Sequence, residues 1–436
     1  MRITLIADGS LGDVYPYLAL AKALSGHGHA VRFATSSAYE SAAIGAGAEF
    51  FPLGTNDPKM VWSDHAAARP TRNPVRFIRH LIRSRGGADQ GLSRMAAACQ
   101  GAQAVVATTA TMPSAHVAVR DRVPVVGCHL SPLAATTEFP RPIGPPWAHR
   151  LRLGPAWNWF THQATDQMFW EANRPTINRW RVTELRLPPL GRLSGPRWIR
   201  RTGVPLLFGF SPTVIPRPHD WPTNYHVTGY WFGPESADWQ PPEPLVSFLR
   251  ASGPVVFVGF GSQVVPPAFL REVLVRGILQ AGARAVVVGA GWSEWGAIAG
   301  NDRVHLVQYV PYRWLFPRVS AVIHHCGAGT AAEALRAGVR SVLVPFTGEQ
   351  RFWAERICDV GITPPPLDPR RLTADRLAYV LRQALRSTTW AARAKCLGQQ
   401  VRAEDGVGTA VRLIEQYATG KSKEIGDFAT PNISLK

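Results

Sequence analysis

Short apolar runs alternate along the chain with segments whose apolar residues have helical spacing. Arg2 to Ala7 has the pattern of a buried strand, Val14 to Ser25 that of a helix, and Ala30 to Thr35 that of a second strand. The same alternation returns later, with apolar runs at 254–262, 285–289, 304–309, 321–325 and 341–345. Strands that alternate with helices predict an α/β fold with doubly wound parallel sheets, here two similar Rossmann-like domains.

Breaks in this alternation give the predicted domain boundaries. Residues 1–230 form the first domain, with further strands expected at 104–108, 124–129, 204–210 and 226–229. Residues 231–245 are rich in proline and lack apolar periodicity, so they are the predicted linker, and 246–405 form the second domain. A C-terminal helix over 406–420 is expected to pack back on the first domain. The tail at 421–436 has no periodicity and is predicted to be disordered.

Two segments of the first domain depart from the pattern. At 69–85 arginines border an apolar stripe, which is typical either of a basic amphipathic helix on an anionic membrane or of an ordinary solvated helix. At 132–198 prolines and tryptophans are frequent and alternation is weak. This segment is interpreted either as long loops that form an indole-lined substrate pocket, or as an irregular segment whose tryptophans form its core.

Composition and charge limit the function classes. The chain has 436 residues, 46% of them hydrophobic and 18% charged, which indicates a globular protein, and its formal net charge is +18. Such a charge favours a phosphorylated substrate, an anionic membrane or nucleic acid, although an arginine-rich composition also follows from a GC-rich genome. Because the charge is spread along the chain rather than clustered among aromatic residues, we expect no nucleic-acid partner.

The cysteines and the N-terminus bear on the compartment. The five cysteines lie far apart, none has metal-ligand spacing, and their number is odd, which fits a reducing cytoplasm. The first apolar run is too short for a signal peptide, and Asp8 interrupts it. No run of about 20 apolar residues predicts a membrane span. The expectation is a cytoplasmic protein, with possible peripheral contact to an anionic membrane.

Candidate chemistry is concentrated after the apolar run 321–323. Two histidines, a small-residue turn at 327–330 and a helix-forming run closed by Gly338 follow it. The first turn of such a helix leaves backbone N–H groups unpaired, and glycines let a phosphate approach them. His325 can add a side-chain donor. The alternative is an ordinary turn between strand and helix, with a histidine satisfied in the core.

A second glycine-containing turn follows the first strand. It runs from Asp8 to Asp13, and its Gly9-Ser-Leu-Gly12 differs from the G-x-G-x-x-G dinucleotide fingerprint. Asp13 at the start of the following helix is either a cap for the backbone N–H groups or a base that faces a ligand.

In order and spacing, five motifs resemble those of the family 1 glycosyltransferases, most closely the bacterial and fungal sterol-type and antibiotic-type enzymes. They are Gly9–Asp13 with Pro16, Gly259-Phe-Gly-Ser262, Val310–Pro317, His324–Thr330 and Val344–Gln350. The resemblance implies the GT-B fold, with two facing Rossmann-like domains and a cleft between them. It also implies sugar transfer from a nucleotide diphosphate sugar with inversion, without a catalytic metal and without a cofactor.

The resemblance also implies roles for individual residues. The donor diphosphate would be bound by Ser262, His325, Gly327, Gly329 and Thr330, the nucleobase by Tyr309, Val310 and Trp314, and the donor sugar by Glu349 and Gln350. Asp13 matches the position of the catalytic base in the bacterial branch. Gly12, Asp8, His129, His324 and Ala328 are further possible site residues, with Asp8, His65 and His129 as alternative bases or orienting partners.

Four residues depart from the pattern of the family. Glu349 stands where Asp is more frequent, which leaves the sugar open. Tyr312-Arg313 stands where sterol-type enzymes usually have His-Asp, and Cys326 replaces a frequent glycine. Arg313 is either a phosphate contact or a surface arginine.

The predicted function is the inverting transfer of a hexose, glucose from UDP-glucose, to a hydroxyl of an apolar acceptor such as a sterol, a polyketide or another lipid-like aglycone. The alternatives are a nucleotide-sugar epimerase, an antibiotic glycosyltransferase that uses a TDP-sugar, a non-catalytic family member and a binder of anionic surfaces. The predicted partners are therefore a nucleotide-sugar donor and a hydrophobic small molecule.

Overall fold

The computed structural model describes residues 1–54, 88–143, 151, 153–233, 239–261, 266–288, 295 and 302–420. The described residues belong to two compact units. The first comprises Met1–Pro212, Pro216–Gly233 and the chain from Asp405, and the second comprises Thr213–Ile215 and Pro234–Glu404. His65, the basic stretch at 69–85, Ser262 and the tail at 421–436, all of which figured in the sequence predictions, lie outside the described residues.

The first unit contains a seven-stranded parallel sheet with the order β3-β2-β1-β4-β5-β6-β7. Its strands are β1 (Arg2–Ile6), β2 (Ala30–Thr35), β3 (Glu49–Pro52), β4 (Ala104–Thr108), β5 (Val125–His129), β6 (Leu206–Phe208) and β7 (Tyr225–Val227). Every residue of β4 and β5 is buried. Strands buried on both faces show continuous apolar runs, which explains why the sequence located these strands.

The helices of the first unit before residue 202 are α1 (Leu11–Gly26), α2 (Glu40–Gly45), α3 (Ala88–Ala98), α4 (Ser114–Asp121), α5 (Pro155–Thr183) and α6 (Gly195–Arg201). Helix α1 begins three residues before the predicted start at Val14. Pro16 therefore lies in its second turn, not its first, and lacks the amide that would bond to the carbonyl of Gly12.

Helix α5 corrects the interpretation of 132–198 as an irregular segment. It has 29 residues and contains Pro175. Its tryptophans do not form one stripe, since Trp170 and Trp180 are buried whereas Trp159 is exposed. Because the tryptophans do not lie on one face, the sequence lacks the apolar periodicity that predicts a helix.

The second unit contains a five-stranded parallel sheet with the order β10-β9-β8-β11-β12. Its strands are β8 (Val255–Gly259), β9 (Arg284–Val288), β10 (Val304–Val307), β11 (Ala321–His324) and β12 (Ser341–Leu343). Its helices are α7 (Glu243–Arg250), α8 (Ala268–Gln280), α9 (Tyr312–Leu315), α10 (Ala328–Ala337), α11 (Gly348–Asp359), α12 (Ala374–Arg386) and α13 (Thr388–Ala403). The prediction of two parallel-sheet α/β domains is confirmed, although α7 begins inside the predicted linker.

The last described helix, α14 (Gly406–Ala418), belongs to the first unit. Ala410, Val411, Ile414 and Tyr417 are buried in the same core cluster as residues of β1 and α1. The hydroxyl of Tyr417 also lies 2.7 Å from Nε2 of His226 at β7. In the part of the chain that the structure describes, no helix combines the length and apolar character needed to cross a bilayer.

Candidate active site

The predicted donor residues follow neighbouring strands of the second unit. His324, the last residue of β11, pairs with Gly259 at the end of β8 on one side and with Leu343 at the end of β12 on the other. Because the carboxyl ends of parallel strands meet at one edge of a sheet, the segments after these strands lie side by side. The described residues that the sequence assigned to diphosphate and sugar, which do not include Ser262, are thus placed at one edge.

The residues His325 to Thr330, here named the Gly329 turn, connect β11 to α10. The N-cap is Gly327, which provides no side-chain hydrogen bond, and the amide of Ala331 donates to the Gly327 carbonyl at 2.9 Å. The amides of Ala328, Gly329 and Thr330 precede this first intrahelical bond. Gly329 is exposed, and a Cβ built on it would meet no heavy atom within 4 Å. An anion could therefore approach the amides of this first turn.

His325 lies at the base of this turn. Its side chain is 8% exposed, and burial lowers its pKa to about 4, although an interaction with the Gly259 backbone counteracts part of the shift. Its Nδ1 is buried and has no hydrogen-bond partner among the described residues. A Cβ at Gly327 would lie 2.5 Å from Nε2, and one at Gly261 would lie 3.0 Å from Cε1. The imidazole is neutral at pH 7 and needs glycine on both sides.

His324 has a structural role in the same turn. It is fully buried, and burial first, then the neighbouring His325, lowers its pKa to about 3. Its Nδ1 accepts a hydrogen bond of 3.2 Å from the amide of Cys326. Cys326 has a φ of 65°, a left-handed conformation that costs an L-residue about 1–2 kcal/mol. The bond from the Cys326 amide to His324 helps to hold that conformation.

Tyr312 and Arg313, the two residues of α9 that differ from the family pattern, both contact α10, and Tyr312 does so through Thr330. The hydroxyls of Thr330 and Tyr312 are hydrogen-bonded, and burial raises the pKa of Tyr312. Nε of Arg313 lies 3.4 Å from Oε1 of Glu333 on α10. Side chains of α9 therefore bind side chains of α10, and these contacts were not predicted from the sequence. The ion pair places the guanidinium beside α10 and tests neither alternative given for Arg313.

The predicted sugar residues open α11. Thr347 is the N-cap, and its hydroxyl accepts a hydrogen bond from the Gln350 amide at 3.3 Å. The side-chain oxygen of Gln350 accepts from the amides of Phe346 and Thr347 at 2.8 and 3.2 Å. Glu349 stands in the first helical turn and is partly buried. Since the Gln350 oxygen is used by the cap, what this side chain can offer a sugar is its amide NH₂ group.

The three predicted nucleobase residues have different surroundings. Tyr309 is 57% exposed, whereas Val310 is 2% exposed and belongs to a core cluster. The ring of Trp314 contacts that of Trp239 edge-on, with centroids 5.1 Å apart, and Arg318 lies over it. Val310 can therefore contact a base through its backbone only, and Tyr309 presents the accessible ring.

In the first unit, Ala7 to Asp13, here named the Asp13 turn, connects β1 to α1. Oδ2 of Asp13 accepts hydrogen bonds from the amide of Ser10 at 2.9 Å and from its hydroxyl at 2.7 Å. Oδ1 of the exposed Asp13 accepts no hydrogen bond from the described residues. Gly9 has a φ of 132°, and a Cβ there would lie 2.8 Å from Oδ2. The structure thus places the predicted base as the third residue of a capped helix, with one carboxylate oxygen available.

His129 ends β5, two strands away from β1 in the sheet. Its Nδ1 lies 2.7 Å from Oγ1 of Thr109, which follows β4. Burial first, then the charge of Arg141, lowers the pKa of His129 to about 4. The hydroxyl of Tyr17 on α1 donates to the Cys128 carbonyl at 3.0 Å, which ties the helix of the Asp13 turn to β5. The imidazole of His129 is neutral and is oriented by Thr109.

The remaining candidates of the first unit, Asp8 and Gly12, both lie in or beside the Asp13 turn, Asp8 partly buried and Gly12 exposed. Ser10 and Thr109 were not among the predicted site residues. Ser10 had a signal, because serine three residues before an acid is typical of a helix start. Thr109 had none. Among the residues that the structure describes, no group of three or more metal-ligating side chains is present.

Comparison with known proteins gives two matching family models. The "Glycosyltransferase family 28 N-terminal domain" matches residues 3–140, and the "Erythromycin biosynthesis protein CIII-like, C-terminal domain" matches residues 287–411. The chain is 32% identical over 451 residues to the sterol 3-beta-glucosyltransferase of Emericella nidulans, in an alignment that covers 100% of this chain and 31% of the fungal protein. The chain thus spans less than a third of the length of that relative.

Solved structures share the fold. The glycotransferase of kitacinnamycin aligns with a TM-score of 0.68 and 19% identity, over 96% of this chain and 99% of that chain. The glycosyltransferase VinC, solved in complex with dTDP, aligns with a TM-score of 0.65 and 18% identity, over 96% of this chain and 100% of that chain.

Proposed function

We propose, from the premise that this chain belongs to the family 1 glycosyltransferases with the GT-B fold, that it transfers a hexose from a nucleotide diphosphate sugar to a hydroxyl of an apolar acceptor. The proposed donor is UDP-glucose, and the proposed reaction inverts the anomeric carbon without a metal. The proposed acceptor is a sterol or another lipid-like aglycone. The similarity to a sterol 3-beta-glucosyltransferase supports this choice of sugar and acceptor.

The observation that carries the proposal is the open first turn of α10. Three consecutive amides precede the first intrahelical bond, the N-cap Gly327 has no side chain to cap them, and a Cβ built on Gly329 would meet no heavy atom within 4 Å. A helix N-terminus with these properties favours an anion through its N–H groups and its dipole. A diphosphate leaving group carries such a charge, and stabilising it speeds the breaking of its bond to the sugar.

His325 is proposed to donate a hydrogen bond to a diphosphate oxygen. Its Nδ1 has no partner among the described residues, although a buried ring nitrogen without one is costly. Since the ring is neutral, it carries one proton and can donate from one nitrogen only. Gly261 and Gly327 hold the ring from two sides, which fixes its direction.

Asp13 is proposed to be the general base. In the step we propose, Oδ1 takes the proton of the acceptor hydroxyl while the oxygen of that hydroxyl forms a bond to the anomeric carbon. The bond between that carbon and the diphosphate oxygen breaks, and the nucleoside diphosphate leaves with the electron pair. The two hydrogen bonds from Ser10 orient the carboxylate through Oδ2, which supports a positioned base.

The experiment that tests the proposal is a transfer assay with the 436-residue chain. UDP-glucose or TDP-glucose is supplied with a panel of sterols and macrolide-type aglycones, and products are detected by the mass of an added hexose. The proton coupling constant of the anomeric position then reports the configuration. A β-glucoside formed from α-linked UDP-glucose, unaffected by EDTA, is the expected result. Release of UDP without a glycosylated product, or an epimerised nucleotide sugar, would contradict it.

A TDP-sugar is the second candidate donor, and the similarity of the fold to VinC, solved with dTDP, favours it. Calorimetric titration with UDP and with TDP separates the two. His325→Ala should weaken whichever nucleotide binds by about tenfold, because one hydrogen bond to a charged group is lost.

A further inference from the structure

Exposed apolar side chains are concentrated just before α5 and in its first turns. Leu151, Leu153, Trp159 and Phe160, here named the apolar patch, are 41%, 65%, 37% and 56% exposed. The ring of Trp157 lies 5.7 Å from that of Phe160, so the patch continues into a partly buried aromatic side chain. Single exposed apolar residues are normal on a protein surface, whereas a group of them is typical of an interaction site, and these four lie within ten residues of sequence.

The apolar patch is held in place by the segment that follows β5. Nδ2 of Asn158 donates to the Thr137 carbonyl at 2.8 Å, and the amide of Arg141 donates to Oγ1 of Thr161 at 2.9 Å. A ring nitrogen of the buried His162 lies 3.1 Å from the Phe139 carbonyl. This segment begins next to His129, at the carboxyl edge of the first sheet, where the Asp13 turn also begins. The start of α5 is therefore a fixed surface connected to the edge that carries the proposed base.

Basic side chains stand beside the apolar patch. The guanidinium of Arg200 on α6 lies over the ring of Trp159, 5.4 Å from its centroid. Arg197 and Arg201 on the same helix are also exposed. Residues 151–201 contain nine arginines against three carboxylates, and of these arginines Arg181 is buried while Arg174 and Arg192 form ion pairs with Glu171. Exposed apolar side chains with an arginine over the indole, on a helix that carries two more exposed arginines, match the boundary between acyl chains and anionic headgroups.

We propose that the apolar patch docks the protein onto a bilayer that contains anionic phospholipid. Leu153, Trp159 and Phe160 enter the interface between headgroups and acyl chains, while the arginines of α6 contact phosphate groups. Its purpose rests on the proposed function, because a lipid-like acceptor resides in such a bilayer and would reach the first unit without crossing water. The docking itself requires neither donor nor catalysis.

The test uses the full chain and two matched double variants. Leu153→Glu with Phe160→Glu adds two acids to the apolar patch. Ile44→Glu with Val182→Glu adds the same charge at two other exposed apolar positions of the first unit, which are 58% and 46% exposed. Each protein is sedimented with vesicles of phosphatidylcholine alone and with vesicles that also contain phosphatidylglycerol, at low and high ionic strength.

Wild type should bind the anionic vesicles more tightly than the neutral ones, and high salt should weaken this binding. The patch variant should partition at least about tenfold less, because two apolar side chains no longer enter the interface and two negative charges face the headgroups. The control variant should bind nearly as well as wild type. Absence of wild-type binding, or equal loss in both variants, would overturn the proposal.

Two further measurements distinguish bilayer docking from two other uses of the apolar patch, contact with a second copy of this chain and binding of the acceptor. If light scattering shows a concentration-dependent dimer of wild type that the patch variant loses, and vesicles are not bound, the surface is a contact between copies of this chain. If the patch variant loses transfer to a water-soluble acceptor as strongly as to a membrane-embedded one, the surface belongs to the acceptor site. Vesicle binding without any transfer would refute the proposed function and leave the docking intact.

Discussion

The Asp13 turn and the Gly329 turn are built from the same local plan, a buried parallel strand, a short turn with glycine and a helix, yet their helix N-termini differ. In the Asp13 turn a carboxylate of the helix itself takes the amide and the hydroxyl of Ser10. In the Gly329 turn the N-cap is a glycine without a side chain, and Gly329 behind it is exposed, with no heavy atom within 4 Å of a Cβ built on it. A helix that supplies its own anion and one that leaves room for a foreign anion suit a base and a phosphate site respectively.

The largest effect is expected from a substitution that removes the proposed base but keeps the hydrogen bonding of the Asp13 turn. Asp13→Asn keeps an oxygen that can accept from the Ser10 amide but removes the proton acceptor. We expect transfer to fall by about 10²–10⁴-fold while the affinity for UDP is unchanged. Steady-state turnover and calorimetric titration measure the two quantities.

The control for this prediction is Ser10→Ala, which removes the hydroxyl bond of 2.7 Å and leaves the carboxylate. It should retain most of the activity. If Ser10→Ala loses as much transfer as Asp13→Asn, the contribution of Asp13 is to the shape of the turn.

Acid should act on the Gly329 turn through two buried histidines, His325 within the turn and His324 at the end of the preceding strand β11. The folded-state pKa values, about 3 for His324 and about 4 for His325, lie below the ordinary 6.5, so below pH 6.5 the unfolded chain binds protons that the folded chain does not. Stability is therefore fully present above pH 6.5 and is lost as the pH falls towards 4, by on the order of 3 kcal/mol for His325.

Urea unfolding at several pH values measures this loss. His324→Asn keeps an acceptor for the amide of Cys326 and removes one titrating ring. The dependence of the free energy of unfolding on pH should become shallower by the share of one histidine. An unchanged slope would mean that His324 does not stay neutral in the folded protein.

Gly329→Asp would give the Gly329 turn what the Asp13 turn already has, an acid of its own at the helix N-terminus. The affinity for UDP should fall by about thirtyfold or more, because the carboxylate competes with the diphosphate for the same amides and repels it. The folded protein should be no less stable, since acids are favourable in a first helical turn. Gly329→Asn is the neutral control, and equal affinity in the two variants would contradict the competition.

The smallest expected effects compare the two glycines directly. Gly9→Ala should lower the free energy of unfolding by about 1–2 kcal/mol, because φ is 132° and the new Cβ would displace the Asp13 carboxylate. Gly329→Ala should raise it by up to about 1 kcal/mol, because alanine favours a helix and the site is open. Chemical denaturation of both variants measures the signs, and two changes in the same direction would remove the distinction between the turns.

The fold was predictable where burial produces a simple hydrophobic pattern in the sequence. Strands β4 and β5 are buried at every residue, so their apolar runs are continuous. Strand β3 was not predicted because it is an edge strand of the sheet without a buried residue, and its last residue is Pro52. Helix α5 was not predicted because its tryptophans point both into the core and to the surface.

For the candidate sites, sequence could predict the turns but not their side-chain contacts. The glycines of the Gly329 turn and the acid of the Asp13 turn are local features of the chain. The contact of Trp314 with Trp239, and that of His129 with Thr109, join positions far apart in sequence. Neither pair has a spacing rule, because the sheet and the packing of its connections bring the side chains together.

The return of α14 to the first unit makes the two units unequal as building blocks. Nearly all of the second unit is one uninterrupted length of chain, Pro234–Glu404, whereas the first unit needs its last helix from beyond that length. Tyr417 and its bond to His226 show that this helix is a structural part of the first unit. A chimera that exchanges nucleotide specificity between relatives should therefore splice the second unit in as an internal cassette with two junctions, and a single crossover point would pair the first unit with a foreign final helix.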